Sequence, residues 1–150
     1  MSAGDTRPPG AVLFVCTSNA IRSVMAAGLM QRRFGRMVHV ESVGVRPIEA
    51  VDPMAVVVMD EEGVDVSKHR PRGFDALEDM YFDLIITMTP EAHHRALEFT
   101  RTMAVEVEYW PTFDPSLAEG SREQRLEEYR AVRDAIDARM AARFTRPSTG

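Results

Sequence analysis

The segment Cys16-Thr17-Ser18-Asn19-Ala20-Ile21-Arg22-Ser23 holds the only cysteine of the chain. Five residues separate it from Arg22, and a hydroxyl residue follows the arginine. The thiolate is the nucleophilic form of a cysteine, and a thiolate beneath a bound phosphate is aimed at phosphorus. Arg22 offers a planar fork that matches phosphate oxygens. Successive backbone N–H groups leading into a helix converge on an anion, and the helix dipole adds to the attraction. The same positive surroundings favour the thiolate of Cys16, and Ser23 is spaced to donate a hydrogen bond to it. The plainer reading of Cys16 is a buried small hydrophobe, a common fate of free cysteine.

Attack on phosphorus expels an oxygen that leaves poorly unless it is protonated, so an acid must face the loop. Asp114, in Thr112-Phe113-Asp114-Pro115-Ser116, is the candidate. Its plainer reading is a turn aspartate before proline.

These residues need elements to hold them. Ala11–Cys16 is a short continuous apolar run, as in a strand buried on both faces. A helix is predicted from Ser23 to Phe34, with Gly35 as its stop. Met37–Ser42 reads as a second strand. Asp52-Pro53 reads as an N-cap followed by proline, opening a helix through Ala55, Val58 and Met59 to near Gly63. Ser67–Gly73 is polar and basic. Leu84–Met88 is a third strand, and Thr89-Pro90 opens a helix by the same device. Val105–Tyr109 is the last strand. Ser121 and Gln124 form a capping box ahead of an apolar stripe of Leu126, Tyr129, Val132, Ile136 and Met140.

Strands and helices alternate. The expected fold is therefore α/β, a single domain with a four-stranded parallel sheet, helices on both faces and a phosphate-binding loop after the first strand. Ligands of such sheets lie outside the carboxyl ends of the strands. Cys16 and Asp114 both follow strands at that edge.

Length and composition bound the rest. The 150 residues fit one domain, expected at 11–144, between flexible tails at 1–10 and 145–150. A chain 45% hydrophobic and 27% charged is not disordered. No apolar run approaches the roughly 18 residues of a membrane span, and the start lacks a secretory pattern. A net charge of −5 argues against a nucleic-acid coat protein. One cysteine allows no internal disulfide and no paired-cysteine metal site, and it suits a reducing cytoplasm. His93 and His94 read as solvated neighbours on a helix. Arg32, Arg33 and Arg36 read as charges placed favourably at a helix end. No metal or other cofactor is expected.

The run Val12-Leu-Phe-Val-Cys-Thr-Ser-Asn-Ala-Ile-Arg-Ser-Val-Met25 resembles the opening of the low-molecular-weight protein tyrosine phosphatases, whose fold is shared by thioredoxin-coupled arsenate reductases. Ser42-Val-Gly44, Asp52-Pro-Met-Ala55, Gly63-Val-Asp-Val-Ser-Lys-His-Arg70, Phe82-Asp-Leu-Ile-Ile-Thr-Met88 and Asp114-Pro115 continue the resemblance in order, as far as about Met140. It implies a Cys16 nucleophile that forms a phosphocysteine. Arg22 would bind phosphate and stabilise the charge that develops in transfer. Thr17, Ser18, Asn19, Ala20, Ile21 and Ser23 would line the phosphate, with Ser23 also steadying the departing thiolate. Asn19 would hold a strained conformation and His69 would buttress the loop. Asp114 would protonate the leaving oxygen and then activate water. The implied partners are a phosphorylated protein or small phosphomonoester and oxyanions such as phosphate or arsenate, with neither nucleic acid nor membrane.

There are departures. Ser18 stands where the family usually has glycine, and Val24 where it has proline. The segments Val45-Arg-Pro-Ile48 and Ser116-Leu117 lack the aromatic walls of tyrosine-specific members, leaving Trp110 and Phe113 as possible substitutes. The reductase branch relays oxidation through two further cysteines, and here Met88 and Thr89 lie near that position. Three activities follow from the residues: a phosphomonoesterase, an arsenate reductase served by an external small thiol, and a binding module without turnover.

Overall fold

A computed structural model describes residues 6–145. β1 (Ala11–Cys16) lies inside a parallel sheet ordered β2-β1-β3-β4, with β2 at His39–Gly44, β3 at Leu84–Thr87 and β4 at Glu106–Tyr109. The chain leaves β1 towards one side to make β2 and returns to the other side to make β3. Strand order therefore reverses at β1/β3, and the crevice beyond the carboxyl ends there is the usual ligand position. Cys16 is the last residue of β1, opposite Gly44 of β2.

The helices are α1 (Arg22–Phe34), α2 (Pro53–Asp60), α3 (Pro90–Leu97) and α4 (Arg122–Arg143). Alternation along β1 divides the core. Val12, Phe14 and Cys16 pack with residues of α1, α2 and α4, among them Met25, Leu29, Met59 and Ile136. Leu13 and Val15 pack with Ala92 and Ala96 of α3. Both faces are covered, which is why β1 carries no polar alternation.

Three helices have side-chain caps. Asp52 accepts from the Met54 and Ala55 N–H groups at 2.8 and 3.3 Å. Thr89 accepts from Ala92 N–H at 3.1 Å. Ser121 and Gln124 exchange bonds of 3.1 and 2.8 Å. Each such cap stabilises its helix by about 1 kcal/mol. α1 differs: Ile21 occupies its cap position with no side-chain bond, and its first turn has no acid. No side chain of the cap position satisfies its leading N–H groups, an arrangement suited to an anion.

Some boundaries move. Gly35–Met37 winds into a 3₁₀ turn behind α1, so β2 begins at His39 instead of Met37. α2 stops at Asp60, and Gly63 sits in the following turn with φ 74°. His93 is not solvated: its Nδ1 lies 2.9 Å from Thr87 Oγ1 and its ring stacks on Tyr109 at 4.8 Å. The polar hydroxyl at the end of β3 gives the imidazole a partner that periodicity does not reveal. His94 is exposed. Arg32 and Arg33 at the end of α1 reach Glu62 and Asp137.

Positions 1–5 and 146–150 of the expected tails lie outside the described residues. Thr145 N–H donates to the Thr6 carbonyl at 2.7 Å. Among the described residues no helix is long and apolar enough to cross a membrane.

Candidate active site

The loop between β1 and α1 is fixed by its carbonyls. Val45, Arg46, Ile48 and Asp52 N–H groups donate to the carbonyls of Cys16, Thr17, Ser18 and Ala20, at 2.8–3.2 Å. In a trans peptide the N–H points opposite the preceding carbonyl, and no peptide in the described chain is cis. Turning these carbonyls outward therefore turns the N–H groups of Thr17, Ser18, Asn19 and Ile21 inward. Asn19 N–H shows the direction, lying 3.3 Å from Cys16 Sγ. The result is a cradle of donors around the sulfur, suited to an oxyanion.

Asn19 is buried, with φ 55°, the one positive φ of a non-glycine residue among those described. Its side chain fixes the proton arrangement. Asn19 Oδ1 accepts from Arg72 N–H at 3.0 Å and lies 2.9 Å from His69 Nε2. His69 Nε2 is also 3.2 Å from the Asn19 carbonyl. Both partners are acceptors, so Nε2 carries the proton. Asn19 Nδ2 then donates to Ser23 Oγ at 2.8 Å and Ser42 Oγ at 3.1 Å. Ser23 Oγ lies 3.0 Å from Cys16 Sγ, within reach to donate its hydrogen to a thiolate there. A chain of hydrogen-bond contacts thus runs from His69 through Asn19 and Ser23 to the sulfur. Burial is the main cause holding His69 below its ordinary pKa. The Asn19 carbonyl opposes that shift, and the nearby Arg72 charge adds to it.

Arg22 stands at the entrance to α1. It donates to the Thr112 carbonyl at 3.1 Å, and its other terminal nitrogen lies 4.0 Å from Asp114 Oδ2. Asp114 Oδ1 accepts from the N–H and hydroxyl of Ser116 at 3.0 and 2.7 Å. One carboxylate oxygen is held while the other faces the arginine of the cradle. The loops after β1 and β4 meet at the carboxyl edge of the sheet.

Thr17 lies at the mouth and donates to Thr89 Oγ1 at 3.2 Å. Ser18 is half-buried at negative φ, so its backbone asks nothing that only glycine could give. Ala20 and Ile21 are buried in the turn. Trp110 is 2% exposed and packs edge-on against Phe14, which makes it core and not a wall of the mouth. Ile48, Phe113 and Leu117 are exposed around the two loops.

Three residues gain roles that the sequence alone does not assign. Gly44 admits the loop: a Cβ there would lie 2.6 Å from Thr17 O and 2.8 Å from Asn19 N. Ser42 closes the Asn19 network. Arg72 holds Asn19 through its N–H, while its guanidinium bonds the Ser42 carbonyl at 3.2 Å and pairs with Glu41. Signals existed for Gly44 and Ser42, which flank the end of β2 in a motif, but not for the contacts they make. No group of three or more His, Cys, Asp or Glu residues is arranged for a metal among the described residues.

The sequence pattern described as low molecular weight phosphotyrosine protein phosphatase matches residues 11–146. An arsenate reductase of Bacillus licheniformis is 32% identical over 129 residues, 86% of this chain and 91% of that protein. An arginine phosphatase of Geobacillus stearothermophilus superposes with TM-score 0.70 over 88% of each chain, at 26% identity. A tyrosine phosphatase of Erwinia amylovora shares the fold, with TM-score 0.72 over 89% of each chain at 18% identity.

Proposed function

The chain belongs to the low molecular weight phosphotyrosine protein phosphatase family, and from that premise we propose that it is a cysteine-dependent phosphomonoester hydrolase. The family accommodates cysteine-based phosphatases and arsenate reductases. What carries hydrolysis is that Cys16 has no second cysteine to relay oxidation, while the Asp114 carboxylate oxygen that faces Arg22 at 4.0 Å is positioned to protonate a leaving ester oxygen.

In this mechanism the loop N–H groups and Arg22 hold the phosphate oxygens. Cys16 Sγ forms a bond to phosphorus as the ester P–O bond breaks, and protonated Asp114 gives its proton to the departing oxygen. Asp114, now a carboxylate, takes a proton from water as that water attacks the phosphocysteine. The S–P bond breaks, phosphate is released, and the Ser23 hydroxyl and Asn19 N–H stabilise the departing thiolate. The substrate is a phosphorylated protein or a small phosphomonoester. The exposed rim is mixed, aliphatic at Ile48 and Leu117 and aromatic at Phe113, so a lone aromatic wall supports a broader range of phosphomonoesters than phosphotyrosine alone. A lone thiol suits a reducing compartment, and we place the activity in the cytoplasm.

A second reading is favoured by the relatives named arsenate reductase. With a single cysteine, reduction would need an external small thiol. That thiol would attack Cys16 Sγ of an arseno-Cys16 adduct, so that an S–S bond forms, the S–As electron pair stays with arsenic and arsenite is released; a second thiol would then displace Cys16 as its thiolate and carry off the external disulfide. Two assays separate the readings. Hydrolysis of an aryl phosphate, lost in Cys16→Ser, supports the phosphatase. Absence of hydrolysis, with arsenate-dependent oxidation of added thiol, replaces it by the reductase.

A further inference from the structure

The start of the acid loop, Trp110–Phe113, and one face of α4 enclose a cleft of about 340 Å³. That volume falls within the roughly 300–1,000 Å³ of small-molecule sites. Trp110, Phe113, Val132, Ala135 and Ile136 give it an apolar lining, and Arg139 stands at its edge. No residue from Cys16 to Ser23 lines it.

Among the described residues Arg122, Arg125 and Arg139 of α4 show no carboxylate partner, and of these three only Arg139 lines the cleft. Arg130, Arg133 and Arg143 on the same helix all have carboxylate partners. Arg139 lies over the Trp110 ring, 5.1 Å from its centroid, and makes one long 3.5 Å contact to the Tyr109 carbonyl. It has no carboxylate partner among the described residues. A guanidinium without a counter-charge beside an apolar cleft is complementary to an organic anion. Glu128 lines the cleft on the same helix, three turns away, and disfavours negative charge at its own end. That asymmetry orients the ligand, carboxylate to Arg139 and hydrocarbon over Val132 and Ile136.

We infer that this cleft is a second ligand site, separate from the Cys16 cradle, for a small carboxylate with an arylalkyl body. Thr112 lines the cleft, and its carbonyl is the one that Arg22 bonds. A bound ligand therefore braces the segment that carries Asp114. The inference does not depend on the phosphatase reading, because binding is read without turnover.

Trp110 is the only tryptophan in the chain, so its fluorescence reports the cleft directly. The probe is 4-phenylbutyrate, titrated against the wild type with inorganic phosphate present in excess. The expected result is a saturable change in Trp110 emission and a rise in melting temperature. The uncharged 4-phenylbutanamide, and 4-phenylbutyrate on Arg139→Met, should bind at least about tenfold more weakly. Ala135 is exposed, so Ala135→Phe fills the cleft without disturbing the core. It should abolish binding and keep the wild-type melting temperature. Displacement of the probe by phosphate would put the ligand in the cradle and overturn the inference. So would a non-saturable signal, unchanged binding to Ala135→Phe, or indifference to the loss of either charge.

Discussion

Asp114 and Ser23 act on different halves of the proposed reaction, and single substitutions separate them. Asp114→Asn keeps the shape but cannot give a proton. It should slow alkyl phosphates by about 100-fold or more while sparing aryl phosphates with good leaving groups. Equal losses on both, in steady-state kinetics, would take Asp114 out of the acid role. Ser23→Ala removes the hydroxyl that lies 3.0 Å from Cys16 Sγ. Release of the thiolate should slow about tenfold, and phosphocysteine should accumulate in quenched samples. His69 contributes through its neutral ring. Its folded pKa lies below the ordinary 6.5, so the unfolded chain binds the proton more readily. Stability from this group is full above about pH 6.5 and is lost as the pH falls towards the folded value. The drop in melting temperature from about pH 7.5 to 5.5 should therefore shrink in His69→Gln. An unchanged drop would show that the ring does not titrate against the loop.

At the scale of elements, the site depends on how closely β2 approaches the loop. Gly44→Ala would put a Cβ within 2.6–2.9 Å of backbone atoms of Thr17, Ser18 and Asn19. Backbone on that side cannot swing away as a side chain would. The expected cost is about 1–3 kcal/mol in urea denaturation, with weaker phosphate binding. Wild-type behaviour in both would mean that the loop has room to move. Asp52 joins two helices: one oxygen caps α2, and the other accepts the Tyr129 hydroxyl at 2.9 Å. Tyr129→Phe should cost about 1 kcal/mol and leave the cradle intact. The caps on α2, α3 and α4 were legible because each uses a residue type chosen by backbone chemistry. So was the strand–loop–helix around Cys16. The Asp52–Tyr129 bond, 77 residues apart in sequence, was not, because nothing in local pattern encodes which face of α4 meets α2. β2 starts two residues past Met37 for a related reason: Met37 is apolar enough for a strand but serves the turn that ends α1.

At the scale of the molecule, the sheet order puts two loops from distant parts of the sequence at one edge. Alternation of strands and helices was enough to predict that edge, and hence that Cys16 and Asp114 could meet. It was not enough to tell the rim from the core. Trp110 reads from the sequence as a substitute wall for the mouth of the site, and the structure buries it against Phe14. An isolated aromatic beside a proline carries no signal of which way it faces. The central claim is that Cys16 carries the phosphoryl group between two half-reactions. It is tested most directly by acid-quenching the enzyme during turnover of an aryl phosphate and weighing the peptide that contains Cys16. The predicted result is one added phosphoryl group on that peptide, absent from Cys16→Ser, which should not turn over. Hydrolysis that continues in Cys16→Ser, or that proceeds with no phosphorylated Cys16 at any quench time, would contradict the account.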